Sequence, residues 1–505
     1  MSILEYKEPQ QNDLPPCQLF INGEFVSSSK KAEIQLINPS NGQNICKIQE
    51  GDKQDIEIAI EHAKQSFGTW KNVNVQERCQ YILNLADEVE KNKKQFIQIE
   101  SFNTGRTIEQ SSLEINQIIE ILRFYGGQSN AMMGKTFVNS SNQMNYTQKL
   151  PFGVVGVITG WNSQFLNAVK IFVPALIAGN TIVHKCSEIT PLSLLKLCQA
   201  MQQIGFPRGV YNMVTGYGPT AGKALSTSRK IQMLSYQGSL ETGKIIEQDN
   251  NKSLKKLKIS YNCKGIIIVG PDVDVEGCAN LAWLCTTYSN GQNNMSAERI
   301  LIHQQVYDKF LGILKKIAKQ HMKIGSPFEG ASFGPMVNKF QLEKIQKYVD
   351  LVQKQMGGKI EEGGKIIEGK SGYYFPPTLI TDVQDIDEEN QENLANQVIE
   401  GILAPVVQLL KPWKSIDEVI ERANKNSLGN SCIIMEKNQG AVQKLIRNLQ
   451  FSNVYINSWM LPNIQIPYSG SLHQAKYNSE QGGIELINEY CEQKAIYIHY
   501  EEKQM

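Results

Sequence analysis

The sequence predicts an α/β fold containing two parallel-sheet units, and three observations carry that prediction. From residue 150 onward, short apolar runs alternate with helix-length segments, the arrangement that builds right-handed βαβ units. A second alternating series begins near Ile266 and continues to about Ile456. At 505 residues, the chain is long enough for about three structural units and a large core.

The elements follow in order. Residues 1–17 read as a loose tail, and Gln18–Phe25 as a β-hairpin turning at Asn22-Gly23. A second β-rich stretch reaches about Ile48. Residues 52–70 and 75–134 are predicted helical, because Ile56, Ile60, Ala63 and Phe67, then Ile82, Leu85, Ala86 and Val89, recur at helix spacing. Next come a strand at Gly153–Ile158, a helix at Asn167–Ile177, a strand at Thr181–Val183 and a helix at Leu192–Ile204. A strand at Tyr211–Val214, a helix opening at Thr220–Ala224, a strand at Ile231–Leu234 and a helix at Gly243–Asn250 complete the first series.

Composition excludes several classes. Lys and Arg number 51 against 50 Asp and Glu, which argues against coating nucleic acid or an anionic membrane. The Lys252, Lys255, Lys256 and Lys258 cluster reads as a solvated face. None of the ten cysteines forms a Cys-x-x-Cys pair or a Cys/His cluster with zinc spacing, so no metal site is expected. Free thiols, a polar start and an apolar stretch at 171–184 broken by Pro174 and Gly179 predict a cytoplasmic protein without membrane insertion.

Four places carry chemistry. Gly216-Tyr-Gly218-Pro-Thr-Ala-Gly222 follows a strand and opens a helix, as a phosphate-binding turn or as an ordinary Gly-rich turn. Gly238-Ser239 is either a second helix-end anion contact or a turn capped by Ser239. Lys185, Ser187 and Glu188 follow another strand, where Lys185 and Glu188 bracket a ribose or stay solvated. Trp161-Asn162 follows the 153–158 strand, and the Asn162 amide either donates to an oxyanion or holds a turn.

Taken together, these segments resemble the aldehyde dehydrogenase superfamily. The resemblance rests on Pro151 through Asn162, Lys170 through Thr181, Lys185 through Glu188, Thr190-Pro191-Leu192 and Gly205 through Gly222. It extends through Leu19–Gly23, Gly291-Gln292, Arg299, Gly334-Pro335, Pro377-Thr378, Pro405-Val406, Val454–Asn457 and Pro467, about residues 18–500 in all. The fold it implies has a Rossmann-like nucleotide-binding domain (18–138 and 152–262), an α/β catalytic domain (263–487) and a small β oligomerisation element (139–151 and 488–505). It also implies an NAD site at Ile158, Thr159, Trp161, Lys185, Ser187, Glu188, Gly218, Gly222, Gly238 and Ser239. Asn162 falls at the oxyanion position. A dimer or tetramer is the implied assembly, with further protein partners in a larger one.

The chain departs from the family pattern at the reacting end. A cysteine thiolate normally lies two residues after the Gly-Gln of the catalytic loop; here that position is Asn294. The general-base glutamate of Leu-Glu-Leu-Gly-Gly-Lys is Ser260 in Ile259-Ser-Tyr-Asn-Cys-Lys264. At the nicotinamide clamp, Gly401 replaces a carboxylate and Leu403 an aromatic. The implied function is a pseudoenzyme of structural or regulatory role that keeps weak binding of NAD or another adenine nucleotide. The alternatives are a pure scaffold subunit of a larger assembly, or an active enzyme of different mechanism: an NAD-dependent oxidoreductase acting on aldehydes, or a reductase or hydrolase using Cys263 or Cys285.

Overall fold

The computed structural model describes residues 6–140, 142–251, 253–262, 264–320, 322–385, 402–425, 430–459, 463–469 and 480–500. Its largest first-half feature is a seven-stranded sheet in the order Lys256–Tyr261, Met233–Gly238, Val154–Thr159, Thr181–Cys186, Tyr211–Thr215, Leu19–Ile21, Glu24–Val26. The first five strands run parallel. The N-terminal hairpin joins them antiparallel, with Asn22 (φ 55°) and Gly23 (φ 77°) both left-handed at its turn, as a two-residue Asn-Gly loop requires.

In chain order the parallel strands start in the middle at Val154–Thr159, progress to one side, then return to add two strands on the other. That reversal makes a switch point, and ligands of open α/β sheets lie beyond the carboxyl ends of the strands there. The apolar runs at 154–159, 181–186 and 211–215 are wholly buried, as expected for strands covered on both faces.

The predicted helical stretch 75–134 is three helices, Val75–Lys91, Lys93–Thr104 and Ile108–Gly126. Apolar spacing continues across both breaks, so periodicity does not reveal them. Asn92 ends the first helix, its side chain donating to the Glu88 carbonyl at 2.9 Å. Gly105, left-handed at φ 77°, ends the second, and Thr107 caps the third. These helices pack on Gln164–Ile177, where the Phe96 and Phe165 rings stack 5.5 Å apart. Burying each such ring contributes roughly 1.5–3 kcal/mol.

A second seven-stranded sheet has the order Lys359–Glu362, Thr378–Val383, Val406–Leu410, Ala297–Ile302, Gly265–Val269, Ser431–Met435, Asn453–Ile456. A separate three-stranded sheet pairs Cys491–His499 with Gln143–Pro151, and the latter with Thr136–Ser140. The lysine cluster corrects the sequence reading: Lys255 is buried and donates to the Ser228 carbonyl at 2.9 Å, and Lys258 is buried as well. Lys252 lies outside the described residues. Among the described residues no helix is long and apolar enough to cross a membrane, and the nine described cysteines are free.

Candidate functional site

Sheet register gathers the nucleotide-site candidates at one edge. Ile158 pairs with Lys185 on one side and Tyr236 on the other, Thr159 pairs with Gln237, and Gln237 pairs with Ser260. All sit at the carboxyl ends of adjacent strands. Lys185 Nζ lies 3.4 Å from Glu188 Oε2. Ser187 turns its hydroxyl back to accept the Ile189 N–H at 3.2 Å. Thr159 turns inward, its hydroxyl 2.8 Å from His184 Nε2, while His184 Nδ1 lies 2.8 Å from the Tyr211 hydroxyl. Burial, and secondarily the neighbouring Lys185, holds His184 down at about 3, so this ring is a neutral structural link.

Two turns differ from their expected form. Gly218–Gly222 is one wide helical turn leading into a helix of five residues, Lys223–Thr227. Gly218 is exposed with open space where a side chain would stand, whereas Gly222 is buried. The strand before Gly238-Ser239 runs on to Gly238, and its helix starts at Leu240 rather than Gly243. Ser239 caps that eleven-residue helix, its hydroxyl accepting the Thr242 N–H at 3.3 Å. Trp161 is half-buried, and its carbonyl accepts from Thr190 Oγ1 at 2.9 Å.

A chain of carboxamides runs beside this edge. Gln237 Nε2 donates to Asn262 Oδ1, and Asn262 Nδ2 donates to Asn162 Oδ1 at 2.7 Å. Asn162 is fully buried and its Nδ2 has no acceptor among the described residues. Leaving such a donor unpaired costs about 1–3 kcal/mol.

The loop carrying Asn294 is held from several sides. The helix Val275–Thr287 ends in a tight turn whose Ser289, Asn290 and Gly291 have φ of 55°, 55° and 73°. Gly291 lies against the Pro405 backbone, where a Cβ would stand 2.2 Å from its nitrogen. Asn290 fastens the turn, donating to the Gly105 and Pro335 carbonyls and accepting from the Gly334 N–H. Beyond it, the Asn294 carbonyl accepts from Asn430 Nδ2 at 3.2 Å and the Met295 carbonyl from Trp459 Nε1 at 3.1 Å.

Asn294 and Ser260 then line one cleft between the two large sheets. Ser235, Gln237, Lys258 and Ser260 line it from the first sheet, and Asn293, Asn294 and Asn430 from the second half. Ser163, Leu166, Asn167, Lys170 and Ile171 supply the wall between. The sequence reading missed Lys170 and Lys258. Helix spacing at 163, 166, 167, 170 and 171 carries the first; strand alternation, which puts Lys256, Lys258 and Ser260 on one face, carries the second.

The alternative thiols separate. Cys285 is fully buried in the second sheet's core, its Sγ accepts the Ala297 N–H at 3.3 Å, and burial pushes it up to about 12. A thiol so held is a poor nucleophile. Cys263 and Gly401 lie outside the described residues. Leu403 is buried, its carbonyl accepting from Gln341 Nε2 at 2.8 Å. No cluster of metal-ligating side chains occurs among the described residues.

A switched parallel sheet faces a second α/β sheet across a polar cleft, a Rossmann-like arrangement. The aldehyde dehydrogenase family model matches residues 25–496, and the chain belongs to that family. Sheep (Ovis aries) aldehyde dehydrogenase 1A1 is 33% identical over 494 residues, covering 96% of this chain and 95% of its own. Mouse (Mus musculus) retinaldehyde dehydrogenase 3 is 31% identical, with 96% and 93% covered. Among solved structures, an NAD+ complex of aldehyde dehydrogenase from Bacillus cereus has a TM-score of 0.90 at 31% identity, covering 96% of this chain and 97% of that one.

Proposed function

We propose that this chain holds an adenine dinucleotide on the aldehyde dehydrogenase fold without carrying out the family's covalent oxidation, and serves a structural or regulatory role. The observation that supports this most is the meeting of Asn294 and Ser260 in one cleft. A carboxamide nitrogen has its lone pair delocalised into the carbonyl, so it does not add to an aldehyde as a thiolate does. A serine hydroxyl does not take a proton near neutral pH, and losing a positioned base alone forfeits roughly 10²–10⁴ in rate.

The residues present fit the adenosine and pyrophosphate end. Trp161, Lys185, Ser187, Glu188, Gly218, Gly222, Gly238 and Ser239 surround the carboxyl ends of the switched strands, and the Bacillus cereus relative was solved with NAD+. Lys185 would donate to a ribose hydroxyl and Glu188 accept, which favours NAD over a 2′-phosphorylated cofactor. The buried Asn162 Nδ2, without an acceptor among the described residues, is a donor that a ligand oxygen would satisfy. Such a dinucleotide supplies hydride-acceptor chemistry when bound.

The three-stranded sheet supports an oligomer of like chains, since Val138, Tyr497 and Phe137 stand exposed on it. It also supports treating the segments around 139–151 and 488–505 as a unit apart from the two larger domains. Relatives named as cytosolic support a cytoplasmic setting. The test is paired: calorimetric titration with NAD and NADP, and NADH formation from NAD with short aldehydes. Heat with NAD and no NADH is expected. NADH formed at a rate usual for the family would overturn the reading, and no heat with either cofactor would favour a bare scaffold.

A further inference from the structure

We propose that Lys170 is a carbonyl-capturing amine, and that the cleft takes small aldehydes as a reversible imine on its Nζ. Lys185 is paired with Glu188, Lys264 donates to the Ala404 carbonyl, and Lys258 lies 5.7 Å over the Tyr490 ring. Lys170 reaches the cleft from the helix Gln164–Ile177 and has no hydrogen bond or ion pair with any described residue.

Burial favours the neutral amine, and the nearby carboxylate opposes it. The carboxylate acting on Lys170 is Glu114, from the packed helix Ile108–Gly126, and Glu114 is already engaged by Arg106. From the facing strand the charged group lining the cleft is another cation, Lys258, and the Tyr236 and Tyr468 phenols are held protonated by burial. Burial, opposed by Glu114, brings Lys170 down to about 8. More of its amine is therefore unprotonated near neutral pH than for an ordinary lysine.

The walls suit the chemistry. Asn294, whose carboxamide makes no hydrogen bond with a described residue, and Ser260 provide neutral donors on the same cleft. Nζ adds to the carbonyl carbon, the C=O π pair moves to oxygen, and a proton transfers from nitrogen to that oxygen, giving a carbinolamine. Loss of the hydroxyl as water, with the remaining nitrogen proton, forms the C=N bond. Nothing is oxidised or reduced, and no dinucleotide takes part, so the inference does not rest on the function proposed above.

The test treats the full chain with benzaldehyde and sodium cyanoborohydride near pH 8, followed by peptide mass mapping. Cyanoborohydride delivers hydride to the imine carbon and fixes it as a secondary amine. One benzyl group on the Lys170 peptide is expected, appearing at least about tenfold faster than on the exposed Lys53 and Lys339, because more of its amine is neutral. Lys170→Arg, checked for an unchanged unfolding midpoint, should abolish that label. Even labelling of exposed lysines, labelling confined to Lys258, or no label at all would overturn the proposal; the wild-type map decides this even where the variant fails to fold. NADH in a parallel mixture would count against the preceding reading and leave this one standing.

Discussion

The two ends of the inter-sheet region differ in kind. The end beside Lys185 and Ser239 has a charged pair 3.4 Å apart and a capped eleven-residue helix, features that suit an anionic, ribose-bearing ligand. Among the described residues, the end at Asn294 and Ser260 is lined by amides, several hydroxyls and two lysines, with no carboxylate and no thiol. On the function proposed above, the first end holds a ligand and the second does not carry out covalent turnover. Holding depends on strand ends and helix caps that the scaffold itself needs, whereas turnover depends on two side chains that the scaffold does not need.

Breaking the support common to both ends should have the largest effect. Arg106 is buried, contacts Glu114 and Glu100, and donates to Ser163 Oγ at 2.8 Å on the cleft wall. Arg106→Ala leaves two buried carboxyls uncompensated and should cost about 3–5 kcal/mol in urea unfolding.

Next in size is a binding contrast. Lys185→Ala removes a charged donor and should weaken NAD about tenfold or more in calorimetry, since such bonds contribute about 1.5–3 kcal/mol. Asn294→Ala should leave that affinity within about twofold, as expected for a side chain at the other end. Equal losses in the two variants would erase the distinction between the ends. Ser239→Ala should cost about 1 kcal/mol of stability through the lost cap, read as a shift of the urea midpoint at unchanged slope.

A last prediction concerns pH. Burial, then Glu114, raises Glu100 to about 7 against the opposing pull of Arg106 and the Ser193 hydrogen bond. The native state therefore holds a proton that the unfolded chain has released between about pH 4.5 and 7. Stability supplied by the neutral form is complete below that window and declines as pH rises through it. Glu100→Gln should flatten that decline in stability measured from pH 4.5 to 7.

Much of this was legible in the residues themselves. Apolar runs at 154–159, 181–186 and 211–215 announce buried parallel strands, and Asn22-Gly23 announces its hairpin. The breaks at Asn92 and Gly105 were not legible, because apolar spacing runs through them and tertiary packing sets the new axes. Lys258 looked like part of a solvated run, although alternation with Leu257, Ile259 and Tyr261 places it on the face of Ser260. Lys170 sits in an otherwise apolar helix, and only the meeting of two distant sheets shows what it faces. The inertness of Cys285 likewise follows from burial that no local pattern encodes.

The central claim concerns covalent chemistry at the position of Asn294. Mixing the protein with NAD and an aldehyde, quenching in acid and weighing the intact chain tests it directly. The account predicts no thioester-linked acyl group on any cysteine and no NADH. A single acyl group mapped to a cysteine peptide, with NADH formed in step, would contradict it.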